Sequence, residues 1–243
     1  MSEKKIELIA QLLAKAESTT PEEAEALTEH AERLMVKYGI EQAIINERRA
    51  QSGKADEKII QVGITFTGAF RLEYAHLGHM VANGLGSLRC LMNTFKNKSA
   101  TLYLIGYESD VKQAGLLIAS LQVQAVVATR AWWKVNKQDF SMASSYDQEA
   151  ARRSFVRGFG TGAGNRIHES RNQEIKEAGT GTELVLVSRE AKVQAHFDSL
   201  QKGKARGHGG GKRDWTAASQ GYKAGQNANT GEKAVSQGRG ITA

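Results

Sequence analysis

The sequence predicts an α+β protein that is built from three parts. A helical hairpin, residues 1–47, precedes a small mixed domain, residues 58–200, and a basic, glycine-rich region, residues 201–243, ends the chain. Three observations predict this order. Apolar residues recur at helical spacing near the N-terminus, β-branched runs alternate with helical patterns in the middle, and glycine and cationic residues dominate the end. With 243 residues, of which 40% are hydrophobic, the chain can form one sizeable core.

The N-terminal part contains the stretch "STTPEEAEAL", which has the features of a helix start. Thr20 suits the N-cap, Pro21 suits the first helical position, and the glutamates that follow are favourable near the positive end of the helix dipole. Gly39 can supply the left-handed residue that ends a helix. We therefore expect a helix over 21–38 and, with an apolar stripe upstream, a helical hairpin over 3–38.

Residues 9–43, "IAQLLAKAESTTPEEAEALTEHAERLMVKYGIEQA", resemble the signature of a phage and bacterial family catalogued as domain of unknown function 2786. The shared pattern is a leucine pair, a small-residue turn, Pro-Glu-Glu-Ala, and Ala-x-x-Leu-Met-x-Lys-Tyr-Gly-Ile. Two later segments, 106–111 ("GYESDV") and 154–159 ("SFVRGF"), are similar to regions that follow this domain in many members. The resemblance implies frequent occurrence in phages and mobile elements, and it supplies no catalytic residues.

The middle of the chain has the element order strand, helix, strand, strand, helix. The β-branched run 59–66 predicts a strand, and an apolar helical face predicts a helix over 70–83. Two apolar runs, 87–94 and 100–106, flank a polar turn and predict a β-hairpin. The long amphipathic pattern over 109–137 predicts a helix that is the main hydrophobic cover of the sheet.

The following region has a helical pattern over 146–159 and a glycine-rich run over 158–164. Such a run superficially resembles a phosphate-binding loop, but a dinucleotide fingerprint follows a strand, which is missing here. We favour a helix whose glycines, at four-residue spacing, let another backbone approach closely. Nucleotide binding and a flexible loop are the alternatives. Residues 182–188 predict one more strand, and residues 189–200 predict a helix.

A possible metal site lies on the predicted helix 70–83. Glu73, His76 and His79 offer three ligands, but three-residue steps drift around a helix, and no further ligand is directed at the same point. We therefore expect structural, partly exposed histidines, with no metal and no cofactor.

Three further side chains invite a functional interpretation. Cys90 is the single cysteine, which excludes an internal disulfide, and its apolar neighbours predict a buried, inert thiol. Trp132 and Trp133 offer a base-stacking surface, but their place on a long apolar helix favours core burial of Trp132, with Trp133 more exposed.

The net charge of +7 is concentrated at the end of the chain. Residues 1–50 carry seven basic and ten acidic side chains, whereas residues 201–243 carry eight and two. We expect a mobile linker over 201–213 and a short helix from Asp214 to about Ala228. We also expect that residues 201–243 take no part in the hydrophobic core, because they contain few apolar residues. Cationic side chains here and near residue 155 predict contacts with nucleic-acid phosphates. The predicted nucleic-acid-binding residues are Arg152, Arg153, Arg157, Arg166, Lys202, Lys204, Arg206, Lys212 and Arg213.

Together these features predict a non-enzymatic, phage-type accessory protein that binds the nucleic-acid backbone. No run approaches the length of a membrane span and no signal-peptide core is visible, so we expect a cytoplasmic protein without a membrane partner. Two alternatives stay open. One is a module that binds a host protein, to inhibit or recruit a host enzyme through the hairpin, and the other is a metal- or nucleotide-dependent enzyme.

Overall fold

The structure is a computed structural model that confirms the α+β class. It describes residues 57–95, 99–178, 182–200, 203 and 211–228, and within the N-terminal part residues 8, 9, 11, 12, 15, 23, 27, 30, 31, 34, 37–41, 44 and 45. The elements bounded in the structure are β1 (Ile59–Thr67), α1 (Arg71–Leu85), β2 (Arg89–Phe95), β3 (Ser99–Tyr107), α2 (Glu108–Asn136), a 3-10 turn (Lys137–Phe140), α3 (Ser145–Glu177), α4 (Thr182–Ser199) and α5 (Trp215–Gln226). The predicted order strand, helix, strand, strand, helix is confirmed.

The three strands form an antiparallel sheet in the order β1-β3-β2. Ile59 lies opposite Tyr107 at one end of the β1–β3 pair, and Phe95 lies opposite Ser99 at the hairpin end of the β2–β3 pair. The predicted hairpin is therefore present, with strand ends that differ from the prediction by one or two residues.

The two faces of the sheet are covered by different helices. On one face Leu102 of β3 contacts α1 at Gly78, where a Cβ would lie within 3.0 Å of the leucine side chain. On the other face the Arg189 guanidinium of α4 lies 3.7 Å from the centre of the Tyr107 ring. Strand β3 is consequently buried along nearly its whole length, as expected for a central strand covered on both faces.

One main core joins the sheet to α1, α2 and α3. Helix α2 contributes buried residues at helical spacing, among them Val111, Leu117 and Leu121. Because α1 also packs on the sheet, α2 shares the covering role for which the sequence predicted it as the main element. The same core contains Ile9 and Ala31 from the N-terminal part.

The N-terminal residues that the structure describes are helical. The expected helix end at Gly39 is wrong, because Gly39, Ile40 and Glu41 are helical and the described helical residues continue to Ile45. A Cβ on Gly39 would lie within 3.0 Å of the Gln113 side chain, so this glycine permits close packing and makes no turn. The predicted cap and turn around residue 20 lie outside the described residues, and the hairpin stays a prediction.

The strand predicted over 182–188 is wrong, because these residues are the first half of the continuous helix α4. Leu186, Arg189 and Val193 are buried in steps of three and four residues, whereas Leu184 is exposed. This is the pattern of a helix with one buried face. A short apolar run does not by itself distinguish a strand from a helix.

Helix α3 passes without a break through the glycine-rich run, and the favoured interpretation of that run is confirmed. Glycines of α3 and α5 face each other: a Cβ on Gly158, Gly162, Gly221 or Gly225 would lie within 3.0 Å of backbone atoms of the opposite helix. Glycine lowers intrinsic helix stability by about 1 kcal/mol relative to alanine. Here the missing side chains let the two backbones touch, so van der Waals contact compensates for that cost.

Other glycines of α3 face α1. A Cβ on Gly160 would lie within 3.0 Å of Leu77, and one on Gly164 would lie within 3.0 Å of the Met80 carbonyl oxygen. Helix α3 therefore packs closely against α1 as well as α5. This arrangement fixes the separation between side chains on the three helices.

The expected helix after Asp214 is present, and the Asp214 carboxylate accepts a hydrogen bond of 2.8 Å from the Ala217 amide at its N-cap. The expectation that this region has no place in the core is wrong, because Ala217 is 1% exposed and packs with Phe155 of α3. Large apolar side chains are few in α5, and alanine and glycine make the contact instead. Residues 201–210, apart from Gly203, and 229–243 lie outside the described residues.

One helix among the described residues, Glu108–Phe140, is long and apolar enough to span a membrane. On these two criteria the expectation that no run reaches this length is wrong. The core helix of a soluble protein meets the same criteria, and the inner face of α2 is buried in the main core.

Candidate functional site

A pocket of about 550 Å³ opens between α1, β2, α3 and the segment that precedes α5. Its walls differ in chemistry. Helix α1 supplies a carboxylate and two imidazoles, the sheet supplies an apolar surface, and α3 and residues 211–213 supply cations. Because α3 packs directly on α1 and α5, these walls belong to one packed unit.

The α1 wall consists of side chains on one face of the helix, including Glu73, His76 and His79. His76 Nε2 lies 3.2 Å from the Thr161 hydroxyl oxygen. Burial, and then the positive charge of Arg157, lowers the pKa of His76 to about 4, so the imidazole is neutral at pH 7. Burial also lowers the pKa of His79. Neither histidine therefore adds positive charge to the pocket.

Glu73 is the acidic group of the pocket. Burial raises the pKa of its carboxyl group. A hydrogen bond from its own backbone amide, and then the positive charges of Arg153, Arg157 and Arg71, oppose this rise. One oxygen, Oε2, is buried and accepts no hydrogen bond from the described residues. Among those residues no group of three or more His, Cys, Asp or Glu side chains is arranged to hold a metal ion.

The sheet wall is mainly apolar. Cys90, Met92 and Thr94 alternate along β2 and share one face, and Leu102 of β3 lies opposite Met92. Cys90 is half-buried, and burial raises the pKa of its thiol to about 12, so the thiol stays protonated at neutral pH. This wall can contact apolar or aromatic groups of a ligand.

The cationic wall brings together Arg153 and Arg157 of α3 with Lys212 and Arg213. Two of these cations are already paired: Arg153 with Glu149 at 2.6 Å and Lys212 with Asp147 at 2.7 Å. Within the described part of the chain, Arg157 and Arg213 form no ion pair. Burial and the charge of Arg213 lower the pKa of Arg157, and the negative charge of Glu73 opposes this change.

Helix α3 holds the segment before α5 at the pocket. The Lys212 amide lies 3.4 Å from the Tyr146 hydroxyl oxygen, and the Asp214 amide donates to the Ser154 hydroxyl at 2.9 Å. Asp214 in turn caps α5, which packs through its glycines on α3. The position of Arg213 therefore depends on contacts that are distant in sequence.

Of the nine predicted nucleic-acid-binding residues, the pocket unites four, namely Arg153, Arg157, Lys212 and Arg213. Arg152 lies elsewhere, with its guanidinium 4.9 Å from the centre of the Trp133 ring. Lys202, Lys204 and Arg206 lie outside the described residues.

The prediction for Arg166 requires correction. This side chain is 7% exposed, and Nη1 donates to the carbonyl oxygens of Gln226 and Ala228 at 2.6 and 3.3 Å. These carbonyls lie at the end of α5, where a cation is favourable near the negative end of the helix dipole. Arg166 therefore fixes α5 and is not accessible to a phosphate.

The two adjacent tryptophans are both half-buried. Trp132 stacks on Phe155 with ring centres 4.8 Å apart, and its indole N–H donates to Gln220 Oε1 at 2.5 Å. Trp133 contacts Phe140 and Arg152. The contacts of Trp132 link α2, α3 and α5, so this ring serves the packing of the helices.

Sequence reasoning missed that Glu73 and His76 share a pocket with the arginines, and it missed Tyr146 and Ser154. A signal was present in α3, because Tyr146, Arg153, Ser154 and Arg157 recur at intervals that place them on one helical face. The partners on α1 and before α5 depend on the tertiary packing of three helices, which no local pattern reveals.

A second charged cluster ties α4 to the sheet, away from the pocket. Arg189 is 2% exposed and lies 3.1 Å from Glu57 Oε2 and 3.4 Å from Asp110 Oδ2. Burial raises the pKa of Asp110 to about 6, with Arg189 opposing and Glu57 supporting the rise. The cluster lies beside Tyr107 and has the character of a structural ion-pair group.

Residues 4–42 match a family model described as "Protein of unknown function (DUF2786)". This match confirms the resemblance that the N-terminal signature indicated. No curated protein and no solved structure matches the chain.

Proposed function

We propose that this protein binds the phosphate backbone of nucleic acid through the cationic wall of the pocket. Arg157 and Arg213 are the principal phosphate contacts, and Arg153 and Lys212 flank them. The observation that carries the proposal is that two guanidinium groups line one pocket without an ion pair to a carboxylate of the described residues, with Glu73 as a more distant negative charge near Arg157. A phosphate between them would relieve their repulsion and accept several charge-assisted hydrogen bonds.

We infer that the role is non-enzymatic and belongs to a cytoplasmic accessory protein of phage type. The N-terminal family match supports this context, because the resemblance implies phages and mobile elements. The protonated thiol of Cys90 favours binding over thiolate-based nucleophilic catalysis in the pocket.

The test is fluorescence anisotropy with labelled single-stranded DNA and RNA over a salt series. The double variant Arg157→Gln/Arg213→Gln should bind about tenfold more weakly or worse at low salt. If both residues contact phosphates, the slope of log affinity against log salt should also fall by about 1.4. Equal affinity and equal slope for the variant and the wild type would contradict the proposal.

The matched control is Lys134→Gln/Lys176→Gln. Both lysines are exposed on helices, and Lys176 lies on the same helix as Arg157, about 28 Å further along the axis. This control removes the same formal charge without altering the pocket. A loss of affinity equal to that of the pocket variant would indicate general charge attraction instead of a defined site.

A protein-binding module is the second candidate, because α2 exposes an apolar stripe that includes Leu116, Val123 and Val127. These residues recur at steps of four and seven on the outer face of the helix. In the binding experiment, no affinity for either nucleic acid at low salt would favour this candidate.

A further inference from the structure

We propose that the pocket binds one nucleotide of a single strand, an inference that rests on the nucleic-acid function above. The phosphate contacts Arg157 and Arg213, a hydrogen-bond donor of the nucleotide contacts Glu73, and the base packs against the sheet wall. Mononucleotides should therefore bind, and duplex nucleic acid should be excluded from the pocket.

The size of the pocket is the first argument. About 550 Å³ lies within the range of pockets that bind small molecules, roughly 300 to 1,000 Å³. The base of a single strand can turn away from its neighbours and enter a pocket of this size. In a duplex the bases are paired and stacked, so entry would require unpairing.

The polar groups give the second argument. Oε2 of Glu73 and Nε of Arg153 are buried and have no hydrogen-bond partner within the described residues. Both side chains line the pocket, but these two atoms are not exposed to it, so a ligand would reach them only after a small side-chain rotation, which the gain of a missing hydrogen bond favours. A ligand that satisfies both must present a donor to the carboxylate and an acceptor to the guanidinium. A nucleotide has both, since sugar hydroxyl and base N–H groups donate and phosphate accepts.

The sheet wall gives the third argument. Met92 is 55% exposed although it lies on a strand, and Cys90 and Leu72 line the pocket beside it. A base placed here would cover this apolar surface at a distance from the cations. The separation of an apolar wall from a cationic wall matches a ligand that is aromatic at one end and anionic at the other.

The experiment is calorimetric titration of the full chain with AMP, ribose 5-phosphate and inorganic phosphate. AMP should bind most tightly because it alone reaches the sheet wall. In Glu73→Gln the affinity for AMP should fall about tenfold, through loss of a charged acceptor. The affinity for inorganic phosphate should rise, because a negative charge near the anion is removed.

The decisive result is that Glu73→Gln lowers the affinity for AMP and raises the affinity for inorganic phosphate. A rise in affinity for both AMP and phosphate in Glu73→Gln would overturn the assigned role of Glu73. Met92→Ser should weaken the binding of AMP and leave the affinity for ribose 5-phosphate unchanged. If the wild-type protein binds AMP and ribose 5-phosphate equally well, the placement of the base is wrong. Melting temperatures of both variants serve as the control for folding.

The same measurements separate this proposal from the function on which it rests. If oligonucleotides bind in a manner that depends on Arg157 and Arg213 but AMP does not bind, the nucleotide proposal fails and backbone binding stands. If Arg157→Gln/Arg213→Gln changes neither the affinity for oligonucleotides nor the affinity for AMP, both the nucleotide proposal and backbone binding fail. Competition between AMP and a labelled single strand, with no competition from AMP against duplex, is the result that we expect.

Discussion

At the scale of single residues, Asp110 should make stability depend on pH. Burial raises the pKa of Asp110 to about 6 from its ordinary value of 3.8. The folded protein therefore holds this proton more tightly than the unfolded chain does. The resulting stabilisation is fully present below about pH 4 and is lost as the pH rises through about 6.

Asp110→Asn should remove this pH dependence. We expect the free energy of unfolding of the variant, relative to wild type, to increase by up to about 3 kcal/mol between about pH 4 and pH 7. Urea midpoints over this interval provide the measurement. The contribution of Glu73, whose pKa is also raised, is common to both proteins and cancels. Parallel pH profiles would show that Asp110 does not titrate as described.

Single residues also show what the sequence could indicate about the site. The four-residue step from Arg153 to Arg157 places both cations on one helical face, and this is visible in the sequence. The burial of Arg166 on the same helix is not visible, because it follows from carbonyls at the end of α5. A cation in a sequence does not reveal whether its partner is a phosphate or the protein itself.

At the scale of elements, the contact between α3 and α5 should be sensitive to one added methyl group. Gly221→Ala should destabilise the protein by about 1 to 3 kcal/mol, because the Cβ would overlap the Phe155 carbonyl and the helices must move apart. Gly115→Ala is the matched control in α2, since a Cβ there would have no atom within 4 Å. It should be neutral or stabilising by up to about 1 kcal/mol.

Urea unfolding of both glycine variants checks this prediction. Similar effects at the two positions would mean that helix propensity, and not the approach of the backbones, determines the result. The variant at Gly221 should also bind AMP more weakly, because α5 follows directly on the segment that carries Arg213.

Elements in which apolar residues recur at a regular spacing could be predicted from the sequence. Elements whose conformation depends on contacts with distant parts of the chain could not. The strand, helix, strand, strand, helix order and the cap at Asp214 follow from local spacing and turn chemistry. Helix α4 could not be distinguished from a strand, since its buried face includes Arg189, whose burial depends on Glu57 and Asp110. Gly39 has the same ambiguity, because a glycine can end a helix or admit a neighbour.

At the scale of the whole molecule, the region that contains α5 should be required for full stability. A chain that ends after Leu200 loses α5 and its contacts with α3, and it should melt at a lower temperature with exposed apolar surface at Phe155. A control chain that ends after Ala228 retains every described contact of α5. Thermal melts of both chains, with a fluorescent probe of apolar surface, test this. Equal melting temperatures of the two chains would show that residues 201–228 are not needed for stability.

The attachment of Arg213 to a helix that packs through glycine should couple ligand binding to the docking of that helix. A helix held mainly by one neighbour opens and closes locally more often than a central strand such as β3. A ligand held by Arg157 of α3 and by Arg213 can bind fully only when α5 is docked, so binding and closure of α5 are linked equilibria. Amide hydrogen exchange over Trp215–Gln226 should therefore slow in the presence of AMP, while exchange in β3 should not change. Slower exchange in α5 would then reveal ligand binding in the pocket, although no side chain of α5 lines the pocket.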